Sequence, residues 1–344
     1  MKLLGERTMY VIPQLRTQMR YSSWFADEIV KAFRNADDFI FNTVHVVGDK
    51  NVVYDDTNVD FSPALKSILF ELHCLEELFI DYRFTDSDAV FVCDCSFPGF
   101  VANLRTWFRG YIFTYCHATS LNKLDIFAPI RSYKWALEKA FLEECDIIFV
   151  ASKYHKDKLL NDGSLRNDNI FVVGFPTPPT LLDYVSRHKL TKKTNPSQSK
   201  YILIPSRQCA QKVNPKLYSR LEEAGYNIVV KTFPTWESYY DALRGADIVL
   251  SLAQEETFGI STAEALYLGT PVLVPDAMSY SEMYPSMYKY NPSDPNDLIA
   301  KIEYIFNHYD QVSPEPATIN LFNDDFYSEI IDIITHEVIS REII

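Results

Sequence analysis

Short apolar runs alternate with longer segments of helical periodicity along the whole chain. This alternation is typical of parallel βαβ units, in which buried strands are joined by helices that cover the sheet. The pattern therefore predicts an α/β fold made of doubly wound, Rossmann-like domains. The predicted strands are Met9–Ile12, Phe39–Val47, Ala89–Cys93, Tyr111–Cys116, Ile147–Val150, Ile170–Val173, Tyr201–Ile204, Ile228–Val230, Ile248–Leu252, Val272–Val274 and Tyr288–Tyr290.

A long predicted helix, Pro63–Phe79, lies between two of these strands. Its aliphatic side chains recur at helical spacing, so we expect one stripe to face the core rather than a ligand. The stripe consists of Leu65, Ile68, Leu69, Leu72, Leu75 and Leu78.

A polar stretch, Ser186–Lys200, interrupts the pattern and precedes a new strand. Such a stretch predicts a domain linker. We therefore expect an N-terminal domain over 1–185, a C-terminal domain over 201–324 and a C-terminal helix within 325–344. Because doubly wound domains bind ligands at the carboxyl ends of their strands, two such domains would face a central cleft.

The composition agrees with two well-filled domains. The chain has 344 residues, 47% of them hydrophobic and 23% charged. No run approaches the roughly 18 to 20 apolar residues that cross a bilayer, and Met1–Arg7 lacks a signal-peptide core, so we expect a cytoplasmic protein of a cell or of a virus-infected host cell. The net charge of −13 disfavours nonspecific adhesion to DNA or anionic lipid.

Two short motifs could suggest a metal, but other interpretations are favoured. Cys93-Asp94-Cys95 has no second ligand pair at zinc-site spacing, and the cysteines stand in apolar contexts typical of buried thiols. Asp86-Ser87-Asp88 resembles a metal-binding Asp-x-Asp motif, but it precedes a strand instead of following one, which favours a solvated turn. We expect no disulfide, no metal and no other cofactor.

The segment Glu255–Glu264 carries the strongest candidate chemistry. It follows a predicted strand and leads into a helix, which places Gly259 at the helix N-terminus. Backbone N–H groups and the helix dipole form an anion site there, and a residue without Cβ lets a diphosphate approach closely. Glu256 in the loop and Glu264 about one turn into the helix would contact a different part of the ligand, such as sugar hydroxyls.

Cations for the phosphates stand in the turn Pro205–Lys212, after the predicted strand Tyr201–Ile204. Arg207 offers a planar fork and Lys212 a point charge, a combination that suits phosphate oxygens. The turn therefore predicts the phosphate-binding part of the same site.

These residues together resemble a known enzyme family. Glu256 and Glu264 look like the E-x7-E element of retaining GT-B glycosyltransferases of the large family 4, and Arg207 with Lys212 resembles that family's Arg-x4-Lys pair. The continuation Gly269-Thr270-Pro271-Val272 is similar to the segment that follows the element there. The resemblance implies that Glu264 holds the ribose of a nucleotide-sugar, that Glu256 contacts its sugar, and that Arg207 and Lys212 neutralise the leaving diphosphate.

Further donor contacts follow from the same resemblance. Backbone amides of Phe258, Gly259 and Ile260 would assist at the diphosphate, and Thr232 and Phe233 would lie in the turn that seats the nucleobase. The family needs no bound metal. Its architecture also lets the last helix cross back to the first domain.

The acceptor side is less determined by the sequence. His117 follows a predicted strand, as a histidine near the acceptor often does in this family, and a hydrogen-bonded cleft-wall residue is an equal alternative. The family's Gly-rich loop after the first strand is replaced by Pro13–Ser22, which contains no glycine. Arg16 and Arg20 in this loop therefore become candidates for contacting the acceptor.

The sequence thus predicts a retaining hexosyl- or pentosyltransferase that moves a sugar from a nucleotide-sugar to a hydroxyl acceptor. The acceptor stays open among a glycan, a lipid, a protein and a modified DNA base. Interleaved basic and aromatic side chains in the first domain keep a nucleic-acid acceptor, such as a hydroxymethyl-pyrimidine of viral DNA, as an alternative. Two others are a GT-B-fold nucleotide-sugar epimerase and a non-catalytic sugar-nucleotide-binding protein.

Overall fold

Parallel strands connected by helices form the regular structure of the chain in a computed structural model. The structure describes residues 6–48, 53–54, 62–95, 103–124, 131–206, 209 and 211–342. Within these residues every pairing between named strands is parallel, as βαβ units require.

The described strands and helices follow one another in the alternating order that the sequence predicts. The strands are β1 (Thr8–Ile12), β2 (Arg16–Thr17), β3 (Thr43–Val46), β4 (Val53–Tyr54), β5 (Ala89–Val92), β6 (Tyr111–Cys116), β7 (Ile147–Val150), β8 (Ile170–Val172), β9 (Tyr201–Ile204), β10 (Asn227–Val230), β11 (Ile248–Leu250), β12 (Val272–Pro275) and β13 (Lys289–Tyr290). The helices are α1 (Phe25–Asn35), α2 (Ser62–Asp81), α3 (Arg131–Glu143), α4 (Lys153–Asn161), α5 (Pro179–Arg187), α6 (Pro215–Glu223), α7 (Trp236–Gly245), α8 (Ile260–Tyr267), α9 (Tyr280–Met283), α10 (Pro295–Asn307), α11 (Tyr309–Val312) and α12 (Phe326–Glu342).

Two large parallel sheets organise the described part of the chain, and β2 and β4 form a separate two-stranded pair. The first has the order β3-β1-β5-β6-β7-β8, and the second has the order β10-β9-β11-β12-β13. The strand order reverses between β1 and β5 in the first sheet and between β9 and β11 in the second. Loops that leave the carboxyl ends of two strands at such a point diverge and leave a crevice for a ligand. In the second sheet, these loops are the ones that carry Lys212 and Glu256.

Contacts divide the chain into two compact units. The first unit comprises Met1–Ala151, His155–Pro176 and Asp324–Ile344, and the second comprises Ser152–Tyr154 and Thr177–Asn323. The segment 186–200, predicted to be a linker, lies within the second unit. Asp247 holds this segment to the second unit. Its carboxylate accepts hydrogen bonds from the backbone N–H groups of Ser197, within the segment, and of Tyr201, directly after it, each over 2.7 Å.

The last helix, α12, packs within the first unit. The ring of Phe326 lies 5.9 Å from that of Phe25 and 5.6 Å from that of Tyr115. Near the end of the helix, the Arg341 guanidinium forms an ion pair with Asp146. Contacts at both ends therefore hold α12 to this unit.

The predicted core stripe of α2 is wrong for two of its members. Leu69 is 49% exposed and Leu72 is 52% exposed, whereas Phe70, Cys74 and Leu78 are buried. The buried residues recur every four positions and define the true inner face of the helix. Both faces of α2 carry large apolar side chains, so periodicity alone could not select the inner one. Leu65 and Ile68 lie among the residues whose side chains the structure does not describe.

The predicted strand Phe39–Val47 is shorter in the structure, where β3 begins only at Thr43. Phe39 and Phe41 are nevertheless buried, because they pack in a row of rings with Phe33. Burial of alternate residues produced a strand-like pattern in a segment that forms no strand pairing among the described residues.

Candidate functional site

The loop between β11 and α8 begins the candidate site in the second unit. Gly259 is the N-cap of α8 and has φ 90°, a left-handed conformation that favours glycine. A Cβ at this position would lie 2.4 Å from Cε1 of Tyr280, so the ring also requires a residue without a side chain. Gly259 therefore directs the chain into α8 and leaves the first N–H groups of the helix at the carboxyl edge of the sheet.

Glu256 lies in this loop and forms an ion pair with Lys212. Lys212 Nζ donates to Glu256 Oε2 over 2.6 Å, and the side chains are 26% and 17% exposed, respectively. Burial alone would raise the pKa of Glu256. The charge of Lys212 and the backbone N–H groups of Thr257 and Phe258 outweigh that effect and lower the pKa instead. Glu256 is thus held as a carboxylate.

The backbone explains why Lys212 reaches Glu256 across 44 residues. The loop after β9 lies along the end of β11, where Val213 forms a bridge with Leu252. The N–H of Gln254 donates to the carbonyl of Gln211 over 2.9 Å, which joins the two loops next to the ion pair.

Glu264 lies on α8 and is only 1% exposed. Its Oε2 accepts from the hydroxyl of Tyr239 over 2.5 Å, and its Oε1 accepts from the hydroxyl of Tyr240 over 3.0 Å. Burial raises the pKa of Glu264 to about 7, although the two tyrosine hydrogen bonds act in the opposite direction. Glu256 and Glu264 therefore differ sharply in environment, since the first is paired with a cation and the second with neutral hydroxyls.

The predicted nucleobase turn follows β10. Thr232 is exposed, and Phe233 is half-buried with its ring 5.8 Å from that of Tyr239. The ammonium of Lys231 lies 5.3 Å from the centre of the Phe233 ring, within the range of a cation–π contact. The structure thus connects this turn to Glu264 through Tyr239.

The remaining donor-side residues are placed as follows. Phe258 is buried with its ring 5.7 Å from that of Phe322, and Ile260 is the first residue of α8. Arg207, which completes the Arg-x4-Lys pair in the sequence, lies outside the described residues.

His117 follows β6 in the first unit and is enclosed by aromatic rings. Its imidazole centre lies 4.2 Å from that of Tyr21, 4.5 Å from that of Tyr115 and 4.9 Å from that of Phe25. Burial lowers the pKa of His117 well below its ordinary value. The side chain is therefore neutral at physiological pH and can act by hydrogen bonding and shape rather than by charge.

Arg16 and Arg20 lie in the loop after β1. The Arg16 guanidinium forms two hydrogen bonds with the Asp27 carboxylate and one of 3.0 Å with the carbonyl of Ser23. Its side chain is 11% exposed. Arg20 is half-buried, and its carbonyl accepts from the Ser23 hydroxyl over 2.7 Å. Arg16 thus holds the glycine-free loop against α1.

Sequence reasoning missed Tyr239 and Tyr240. Both lie on α7, 25 and 24 residues before Glu264, and no short motif joins positions so far apart. A weaker signal was available, because a buried tyrosine hydroxyl needs a partner and α7 presents two adjacent tyrosines.

One group of residues could be considered for a metal within the described part of the chain. Ligand atoms of His188, Glu237 and Asp241 lie within 4.8 Å of one another. Arg187 already donates to Glu237 over 2.8 Å, which places a positive charge beside this group. The group is partly exposed and stands apart from the Glu256–Lys212 pair in the sequence.

Comparison with solved structures identifies the fold. Sucrose-phosphate synthase from Thermosynechococcus elongatus is similar with a TM-score of 0.63 at 12% identity, and 98% of each chain is covered. The lipopolysaccharide outer core galactosyltransferase WaaB in its apo form gives a TM-score of 0.59 at 14% identity, covering 97% of this chain and 99% of that one. HepE of Anabaena, in complex with UDP and glucose, gives 0.56 at 13% identity over 98% of both chains. The chain therefore has the GT-B fold of these proteins, with two Rossmann-like domains.

Sequence comparison adds information on the second unit. The model of the family Glycosyl transferases group 1 matches residues 210–313, which include Lys212, Glu256 and Glu264. A segment of 58 residues is 38% identical to the tRNA-queuosine alpha-mannosyltransferase of Drosophila melanogaster. That match spans 17% of this chain and 15% of the relative. None of the described helices is long and apolar enough to cross a membrane.

Proposed function

We propose that the protein is a retaining glycosyltransferase that moves a sugar from a nucleoside diphosphate to a hydroxyl acceptor. The observation that carries the proposal is the Lys212–Glu256 ion pair of 2.6 Å beside the N-terminus of α8. A cation, a carboxylate and a helix N-terminus at one sheet edge suit a ligand with both phosphates and hydroxyls. The family match over 210–313 supports sugar transfer.

Lys212 and the first N–H groups of α8 would stabilise the departing diphosphate. As the bond between sugar C1 and the diphosphate oxygen breaks, negative charge builds up on that oxygen, and fixed donors there accelerate the reaction. Arg207 would share this role, as the arginine of the Arg-x4-Lys pair does in the family that the sequence resembles. In a retaining transfer, the acceptor oxygen forms its bond to C1 on the face that the diphosphate leaves, and the acceptor proton passes to the diphosphate.

Glu256 would change partners when the donor binds. Its carboxylate is paired with Lys212, which avoids a buried unpaired charge. A diphosphate competes for Lys212, so Glu256 becomes able to accept hydrogen bonds from sugar hydroxyls. Glu264 would hold the ribose, and the Thr232–Phe233 turn would contact the nucleobase. None of these contacts uses a metal.

The first unit would bind the acceptor near His117. The imidazole is neutral and enclosed by rings, so it would orient an acceptor hydroxyl by a hydrogen bond rather than by charge. This environment sets no acceptor class by itself, and glycan, lipid and protein hydroxyls all qualify.

A modified nucleic-acid base is the second candidate acceptor. It is favoured by the 58-residue match to an enzyme named for tRNA-queuosine and opposed by the net charge of −13. If it is correct, tRNA or hydroxymethylated DNA should compete with small acceptors at low salt, about 50 mM, where phosphate contacts are strongest. Absence of competition at that salt concentration rules it out.

A screen of nucleotide-sugars by thermal shift tests the main proposal, because a ligand of the native state stabilises it by RT ln(1 + [L]/Kd). Glu264→Gln should lose the shift produced by the best donor. Glu303→Gln is the matched control, since Glu303 also accepts from a tyrosine hydroxyl, that of Tyr226, over 2.5 Å in the same unit. A wild-type protein that no nucleotide-sugar stabilises would contradict the proposal.

Product assays separate the other enzyme classes. Transfer requires an acceptor, whereas an epimerase rearranges its nucleotide-sugar without one. Donor binding without turnover would indicate a binding protein. The anomeric configuration of the product, measured by NMR against that of the donor, tests retention.

A further inference from the structure

Two consecutive tyrosines of α7 hold the carboxylate of Glu264. Tyr239 donates to Oε2 over 2.5 Å and Tyr240 to Oε1 over 3.0 Å, so each oxygen accepts one hydrogen bond. Adjacent helical residues point in directions about 100° apart. Both hydroxyls can therefore reach one carboxylate only if α7 packs against α8 at a fixed distance and angle.

Each tyrosine is itself held in place by other residues. Thr180 Oγ1 lies 2.8 Å from the hydroxyl of Tyr240, which is fully buried. The ring of Tyr239 lies 5.8 Å from those of both Phe233 and Trp236. The two hydroxyls are thus fixed donors, and the plane of the Glu264 carboxylate is set by them.

The acceptor positions that the tyrosines leave unused on Glu264 match the two hydroxyls of a ribose. An ionised carboxylate offers about four lone-pair positions, two on each oxygen. The tyrosines use one on each oxygen and leave one on each for a ligand. A ribose presents two neighbouring hydroxyls, and each of them can donate to one oxygen.

We propose that Tyr239 and Tyr240 are positioning residues that orient Glu264 to accept both ribose hydroxyls, and that they make the site selective for ribonucleotides over 2′-deoxy and 3′-deoxy nucleotides. The inference rests on the proposed function, because Glu264 meets a ribose only if a nucleotide binds here. Tyr239 has a further role, since its contact with Phe233 links the ribose position to the predicted nucleobase turn.

Isothermal titration with nucleoside diphosphates, at a pH above 7 where Glu264 is ionised, tests this inference. UDP, GDP and ADP are titrated first, and the one that binds is compared with its 2′-deoxy and 3′-deoxy analogues. The proteins are the wild type, Tyr239→Phe, Tyr240→Phe and the control Tyr226→Phe. Tyr226 donates to Glu303 over 2.5 Å, so the control loses the same kind of hydrogen bond. Tyr226 lies just before β10, at the amino end of the strand and away from the carboxyl edge that carries the candidate site.

The wild type should prefer the ribonucleotide by about tenfold over each deoxy analogue, as expected for one hydrogen bond to a charged group. Tyr239→Phe and Tyr240→Phe should bind the ribonucleotide about tenfold more weakly and the analogues almost unchanged, so their preference approaches one. Tyr226→Phe should keep the wild-type preference. In turnover assays, the two variants should raise the donor KM more than they lower kcat.

The outcomes separate this inference from the function on which it rests. If no nucleoside diphosphate binds the wild type, the proposed function fails and the inference fails with it. If one binds and both variants keep the full ribose preference, the inference alone is wrong. The wild-type comparison needs no variant, so equal affinity for the ribonucleotide and both analogues also overturns the inference, even if a variant does not fold.

Discussion

The carboxyl edges of the two sheets are built from the same strand, loop and helix units, but their chemistry differs. At the edge of the second sheet, ionisable groups face one another, with Lys212 against Glu256 and Glu264 against two hydroxyls. At the edge of the first sheet, His117 is neutral and surrounded by the rings of Tyr21 and other aromatic residues. The candidate residues of the two edges thus differ: Glu256 is a carboxylate held beside a cation, whereas His117 is a neutral ring. The charges at the edge of the first sheet, such as Arg16 with Asp27, are paired within the protein.

Among the changes that test this contrast, loss of Lys212 should have the largest effect on activity. Lys212→Ala removes the cation from the proposed diphosphate position and leaves the Glu256 carboxylate without its partner at 2.6 Å. We expect kcat to fall by about 10²- to 10³-fold, the effect of removing one fixed donor from a transition-state site. Lys216→Ala, at an exposed position on α6, is the control and should retain activity. Equal activity of the two variants would show that Lys212 has no part in the reaction.

Glu264 should make the stability of the protein depend on pH. Its pKa is raised from 4.5 to about 7 in the folded state, so folding favours the protonated carboxyl that faces Tyr239 and Tyr240. The resulting stability is fully present below pH 4.5 and is lost as the pH rises through 7. The loss amounts to about 3 kcal/mol at most, from 1.36 kcal/mol for each pH unit.

Urea unfolding of the wild type and of Glu264→Gln at several values between about pH 4.5 and 8 measures this loss. The amide does not titrate, so the difference in unfolding free energy between the two proteins isolates Glu264 from other groups. The wild type should lose stability relative to the variant across this range. Parallel curves would show that Glu264 is ionised throughout and would remove the contrast between it and Glu256.

Gly259→Ala provides a third effect, similar in size to the second. The change combines a left-handed φ of 90° with a Cβ that would lie 2.4 Å from Tyr280 Cε1. Gly225→Ala is a matched control, because Gly225 has φ 77° but no heavy atom within 4 Å of the added Cβ. The unfolding free energy of each variant should fall by about 1 kcal/mol because alanine is strained at a positive φ. That of Gly259→Ala should fall by about 1 to 3 kcal/mol more because the added Cβ collides with the ring. Equal melting temperatures for the two variants would contradict this account.

Much of the fold could be predicted from the sequence because buried parallel strands are short apolar runs. The predicted bounds of Tyr111–Cys116, Ile147–Val150 and Tyr201–Ile204 equal the observed ones. Prediction failed where both faces of an element carry apolar side chains, as in α2. There, the inner face depends on packing against the sheet, which local periodicity does not contain.

The candidate site was predictable to the extent that its residues are close in sequence. Glu256, Gly259 and Glu264 lie within nine positions, so one strand-to-helix turn brings them together. The partners of Glu264 depend instead on how α7 packs against α8, which no motif encodes. The sequence predicts a glycine at position 259 for the close approach of a diphosphate, whereas the structure adds a second reason, the contact with the Tyr280 ring.

Arg16 gives the smallest expected effect and tests whether the paired charges at the edge of the first sheet are structural. Its guanidinium is bound to Asp27 and to the carbonyl of Ser23, so it supports the loop after β1. Lysine cannot reproduce the two-point contact, and Arg16→Lys should therefore lower the unfolding free energy by at most about 1 kcal/mol. The KM values for donor and acceptor should not change, because the charge is retained and already engaged within the protein. A selective rise in the acceptor KM would instead show that Arg16 leaves Asp27 to bind the acceptor, and this edge would then also work by charge.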